Sequence, residues 1–197
     1  MSGLELKVEF DPAKVTRFHN MVAVLGSDKA RLAMCRALNH EGDKARTKVI
    51  AALTDQTGLQ RQVIARAVKR IGAYDGSNGG GARMQYLMES AGGDVRLKFF
   101  RSRETQSGVT AYPHNTLTRF PHYFIRGGKW PARVALKFGG EVKYRAGKSR
   151  LPIKTAKSGV VIPAEMVQGA TADAFQGAAG GMADRIMHEL TYLMGGV

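Results

Sequence analysis

Leu4, Leu6, Val8 and Phe10 alternate with Glu5, Lys7 and Glu9, and this period of two predicts a half-buried strand at the start of the chain. Asp11-Pro12 reads as an N-cap followed by proline in a first helical turn. The helix it opens covers 12–25, with Val15, Phe18, Val22 and Leu25 at helical spacing. Gly26 ends it, and Ser27 or Asp28 caps a long second helix over 29–53. Leu32, Cys35, Leu38 and Val49 supply part of its apolar stripe, and Gly42 marks a point for a kink or break. A polar connector over 54–58 leads to a third helix over 59–71. Leu59, Val63, Ala67 and Ile71 share its apolar face, and Gly72 is its stop.

After the glycine-rich stretch Asp75–Gly81 the pattern turns to β. Strands are predicted over 84–88 and 95–101, joined by a turn at Ala91–Asp94, and then over 109–112, 123–126, 134–138 and 142–144. Ser102–Gly108 is polar and reads as a hairpin tip or an extended loop, while Pro113, Pro121 and Pro131 limit strand length. Helical character returns after Pro163 and predicts one long helix over 164–193. Val167, Phe175, Met182, Ile186 and Leu190 form its buried side. Gly169, Gly177, Gly180 and Gly181 weaken that helix, so it needs close packing against a partner element. With no internal repeat and no long linker, the expectation is one α+β domain over 1–197, N-terminal helices and a long C-terminal helix packed on a mostly antiparallel β-sheet. Its parts are a helical region at 11–72, a flexible glycine-rich loop at 75–82, a β-rich region at 84–162 and the closing helix.

The 197 residues suffice for a core without staples, since chains of this size bury roughly 70% of their unfolded surface. The single cysteine, Cys35, excludes a disulfide framework within one chain and a Cys-based zinc site. Its place on the second helix makes it a small core residue, and such a chain suits a reducing cytoplasm. No stretch approaches the ~20 apolar residues of a membrane span, and the first residues lack a secretory pattern. The net charge of +14 is concentrated. From Arg119 to Lys157 eleven basic residues face one acid, Glu141, whereas 158–197 carries one base and four acids. A basic block of this kind attracts polyanions by counterion release, meets an acidic protein, or is simply solvated.

Site chemistry is sparse. The five histidines make no metal-binding helix motif. His114 and His122 could meet with Glu104 or Glu141 as a metal-dependent nuclease centre, against the plainer reading of surface or half-buried polar groups. There is no P-loop and no nucleophile elbow. No catalytic residue, metal or cofactor is expected. Phe99, Phe100, Tyr112, Phe120, Tyr123, Phe124, Trp130, Phe138 and Tyr144 interleave with Arg and Lys, as in sheets that stack bases, yet Tyr123–Ile125 and Val134–Leu136 read as ordinary core strands.

The order of features over roughly 30–175 resembles the minor tail protein Z family of long-tailed bacteriophages and prophages. The resemblance rests on Phe124-Ile125, on Gly128-Lys129-Trp130, and on Gly147-Lys148-Ser149-Arg150-Leu151-Pro152-Ile153, preceded by a helix pair and a basic helix and followed by a closing helix. The glycine-rich Asp75–Gly81 region and the lack of a central arginine run depart from the family pattern. The resemblance implies a non-enzymatic structural protein of the virion, assembled in the bacterial cytoplasm. It would act at the head-proximal end of the tail as a self-assembled ring, expected as a hexamer, in contact with other tail and neck proteins and with DNA passing through the channel. Arg126, Lys129, Arg133, Lys143, Arg145, Lys148 and Arg150 are then the basic residues expected to face the lumen or a partner. Trp130 is expected as a turn anchor or an interface contact. The alternative is a sequence-independent DNA-binding protein using the same 119–157 block.

Overall fold

A computed structural model describes residues 2–4, 12–77, 79 and 81–195, so Leu6, Val8, Phe10 and the Asp11 cap lie outside the described residues. Helix α1 (Pro12–Leu25) ends at Gly26, and helix α2 (Ser27–Thr57) follows at once. At 31 residues α2 is the longest element, about 46 Å at 1.5 Å per residue. It runs unbroken through Gly42. The missing side chain there makes room for a neighbour: a Cβ would stand 2.3 Å from Cγ of Tyr86, whose ring lies against the helix. The Tyr86 hydroxyl then donates to Asp43 Oδ1 at 2.8 Å.

The end of α2 is closed from a distance. Gly58 takes φ +76° and donates to the Thr54 carbonyl. Two carbonyls of the last turn, otherwise without helical partners, are met by a strap at 112–116. Asn115 Nδ2 donates to the Asp55 carbonyl at 2.6 Å, and His114 Nδ1 lies 3.2 Å from the Gln56 carbonyl.

The third helix is shorter than its apolar spacing predicts. Helix α3 (Arg61–Ala67) stops, and Val68–Ile71 is a strand. Arg46 of α2 explains the stop, because its guanidinium donates to the carbonyls of Ala65 and Val68, both at 2.9 Å. Strands β1 (Ser2–Leu4), β2 (Val68–Ile71) and β3 (Leu87–Ser90) form an antiparallel sheet of order β1-β3-β2. No hairpin joins 84–88 to 95–101. The partners of β3 are β1 and β2, and Leu97–Phe99 is a 3-10 turn whose flanks bond to 156–160.

Strands β4 (Arg103–Thr105), β5 (Gly108–Ala111) and β6 (Thr118–Pro121) form a meander with Gln106 and Ser107 at its first tip. Two small hairpins follow, β7 (Arg126–Gly127) with β8 (Val134–Ala135), and β9 (Lys143–Arg145) with β10 (Ile153–Thr155). Val134 is 69% exposed, so the expected core strand at 134–136 is a surface ribbon.

The long closing helix is broken into α4 (Ile162–Met166), α5 (Gly169–Gln176) and α6 (Met182–Leu193). Gly169 at φ +61° sits over Gln56, and Val167, expected inside, is exposed in the break. The longest helix therefore lies in the N-terminal half. The fold class is α+β, with several small antiparallel sheets rather than one broad sheet. The larger core joins Val49, Leu53, Ile64, Val68, Met88, Leu97, Phe100, Val109, Met166 and Phe175. A second core sets Ala30, Ala33 and Ala37 of α2 against Met182, Ile186 and Leu190 of α6. Cys35 is buried, as expected. Burial and the Asp75 carboxylate push its thiol pKa up. Among the described residues, no helix is long and apolar enough to cross a membrane.

Candidate basic interaction surface

The seven basic residues singled out in the sequence fall into two kinds. Arg133 and Lys143 are internal braces. Glu104 on β4 accepts the backbone N–H groups of Ile125 (3.1 Å) and Arg126 (3.2 Å) and pairs with Arg133 at 2.9 Å. Arg133 in turn donates to the Arg126 carbonyl at 2.6 Å. One carboxylate and one guanidinium thus pin the entry to the β7–β8 hairpin against the meander. Lys143 donates to Glu141 (2.9 Å) and to Thr155 Oγ1 (2.7 Å), linking β9 to β10.

Glu141 is the hub of the second brace. Arg96, Lys98 and Lys143 all bond to its carboxylate, which is only 12% exposed. The Lys143 hydrogen bond leads in pulling its pKa down, and with Arg96 and Lys98 it outweighs burial, to a value of about 2. The lone acid of the basic block is therefore fully consumed inside the fold.

Arg126, Lys129, Arg145, Lys148 and Arg150 are exposed, and none pairs with a carboxylate among the described residues. Arg145 donates to the Arg150 carbonyl at 2.5 Å and lies 5.8 Å from the Phe124 ring centre. Arg126, Arg145 and Arg150 come together on one groove of about 580 Å³ between the two hairpins, with His122 and Phe124 also on its walls. Lys129 and Lys148 are not among its described lining residues. Trp130 is 48% exposed and borders an adjoining hollow with Arg103 and Arg126. It is therefore a half-covered surface ring, short of a fully packed anchor.

Sequence reasoning missed the role of Glu104, and the signal was weak: one acid in a polar hairpin. Glu141 carried a clearer signal as the one acid among eleven bases, although two of its three cations, Arg96 and Lys98, come from outside that block. The proposed meeting of His114 and His122 with an acid does not occur. His114 sits at the end of α2, with Nε2 4.0 Å from Glu165, while His122 is in the groove. Glu104 and Glu141 are committed to their cations. Among the described residues no group of three or more His, Cys, Asp or Glu side chains is placed to hold a metal ion.

The glycine-rich stretch hangs from a backbone bridge between Tyr74 and Arg83, and Asp75 accepts the Ser77 N–H at 3.1 Å. Comparison with family models, curated proteins and solved structures gives no match to this chain.

Proposed function

We propose that this chain is a tail-completion, or minor tail, protein of a long-tailed phage or prophage. It forms a ring at the head-proximal end of the tail and supports head–tail joining and DNA passage by contact rather than catalysis. The observation that supports this reading is the convergence of the segments that carry the family resemblance. Phe124 and Gly128 from one segment and Arg150 and Ile153 from a later one line one groove. The loops around that groove also leave Trp130, Val134, Phe138 and Leu151 exposed. Large apolar side chains gathered on two neighbouring hairpins, rimmed by cations, are what an interface between subunits offers.

Sedimentation of the purified protein, alone and with tail-tube and neck proteins of the same phage, tests the reading. A discrete ring-sized oligomer, or a monomer that assembles only with those proteins, supports it. A monomer indifferent to every tail component overturns it. The second reading, a free sequence-independent DNA-binding protein, is favoured by the unpaired cations of the same surface.

A further inference from the structure

Charge accounting over the fold singles out the groove. Glu41, Asp43, Glu104, Glu141 and Glu189 are each held by cations of the same chain, so the basic excess is left on the surface. Three guanidiniums without a carboxylate partner among the described residues, Arg126, Arg145 and Arg150, share the groove, and no carboxylate is among its described lining residues. A guanidinium is a planar fork of donors suited to phosphate oxygens.

The groove's aromatic rings are partly spoken for. Arg145 lies over Phe124, and Lys143 lies 5.2 Å from the Phe138 ring centre. An acidic peptide would anchor on open apolar side chains, and Trp130, Val134 and Leu151, exposed nearby, are not among the groove's described lining residues. Base stacking would likewise need free ring faces. A phosphodiester backbone needs neither, only fixed positive donors in a row.

We propose that the groove between the β7–β8 and β9–β10 hairpins is a sequence-independent binding site for a nucleic-acid phosphate backbone, with Arg126, Arg145 and Arg150 as its phosphate contacts. This rests on the reading of the basic face as a partner-facing surface and names the partner.

The test is fluorescence anisotropy with a labelled mixed-sequence DNA duplex over a salt series. It compares the wild type, the groove variant Arg126→Gln/Arg150→Gln, and a control variant Arg61→Gln/Arg66→Gln. The control removes the same charge from exposed positions on α3. Each lost phosphate contact lowers the slope of log affinity against log salt by about 0.9. The groove variant is expected to lose nearly two from that slope, so a fourfold rise in salt costs it roughly tenfold less affinity than it costs the wild type. The control should keep the wild-type slope, and a second duplex of different sequence should behave alike.

Equal loss in the control, or an unchanged groove variant, overturns the site. So does binding of polyglutamate with no binding of duplex, which would assign the groove to an acidic protein. Sedimentation of the same variants with the tail-tube and neck proteins separates the two proposals. Assembly with tail proteins but no binding of duplex refutes the groove alone. Groove-dependent binding by a protein that never assembles refutes the tail reading alone.

Discussion

Glu141 shows how one side chain can set the behaviour of a basic region. Its carboxylate takes hydrogen bonds from Lys143, Lys98 and Arg96, and its pKa falls from the ordinary 4.5 to about 2. A depressed carboxyl stabilises the folded state above its unfolded pKa and loses that contribution as pH falls through the folded one. Its share of stability is therefore complete above about pH 4.5 and vanishes on approach to pH 2. Glu141→Gln should be less stable than wild type at pH 7 and should lose less stability between pH 4.5 and 2. Urea denaturation at several pH values reads this directly, and parallel pH profiles for the two proteins would refute it. Gly42 makes a second residue-scale case. Alanine there gains up to about 1 kcal/mol of helix propensity. It also drives a Cβ to within 2.3 Å of the Tyr86 ring, which is held in place by its hydroxyl bond to Asp43. Overpacking should win, and Gly42→Ala should cost about 1–3 kcal/mol. In a Tyr86→Ala background the same substitution should become neutral or stabilising, and a double-mutant cycle measures the difference. Gly42 was visible in the sequence as an anomaly, but only the remote Tyr86 gives it a reason.

At the scale of elements, legibility follows the range of the interactions that decide each one. The start of α1, the Gly26 stop and the body of α2 rest on local periodicity and could be read from the chain. Helix α2 nevertheless begins at Ser27, with Gly26 rather than Ser27 or Asp28 as its cap, and it runs past the expected end at Leu53 through the expected polar connector to Thr57. The switch from α3 to β2 at Val68 could not be read in this way. It depends on Arg46 from another helix and on pairing with β3, nearly twenty residues later. Val95–Arg101 looks like a strand by composition, yet only its start pairs, with 156–160, and Leu97–Phe99 curls into a 3-10 turn. The glycines of the closing segment signalled weakness correctly, while Gly169 marks where the weakness becomes a break: it bends the chain over Gln56. The same need for close approach shapes the α2–α6 contact, where Ala30, Ala33 and Ala37 face Met182, Ile186 and Leu190. Small residues on α2 let α6 lie near. Ala33 is fully buried, so Ala33→Leu should push the helices apart and cost about 1–3 kcal/mol in chemical denaturation. An unchanged midpoint would mean that this interface has slack.

Over the whole molecule the decisive quantity is which cations remain after the fold has used its acids. The sequence located the basic block, but not the division within it. That division depends on Glu104 reaching across from the meander to Arg133, and on Glu141 binding Lys143 together with Arg96 and Lys98 from outside the block. Of the seven cations singled out in the sequence, Arg126, Lys129, Arg145, Lys148 and Arg150 are left over, and their removal should separate folding from function. Lys148 and Arg150 are exposed side chains in the turn between β9 and β10. The structural bond there uses the Arg150 carbonyl, which survives a change of side chain. Exposed substitutions of this kind usually move stability by less than about 0.5 kcal/mol. Lys148→Glu/Arg150→Glu should therefore melt like the wild type while changing the charge of that turn from positive to negative. If the turn meets DNA or an acidic neighbour, reversal turns attraction into repulsion. On the proposed tail-completion reading, phage carrying the double variant should then yield few joined, infectious particles, with heads and tails accumulating separately, and the Arg61→Gln/Arg66→Gln control should yield normally. Wild-type yield and infectivity from the reversed turn would show that these two cations face only solvent, and would remove them from the proposed surface.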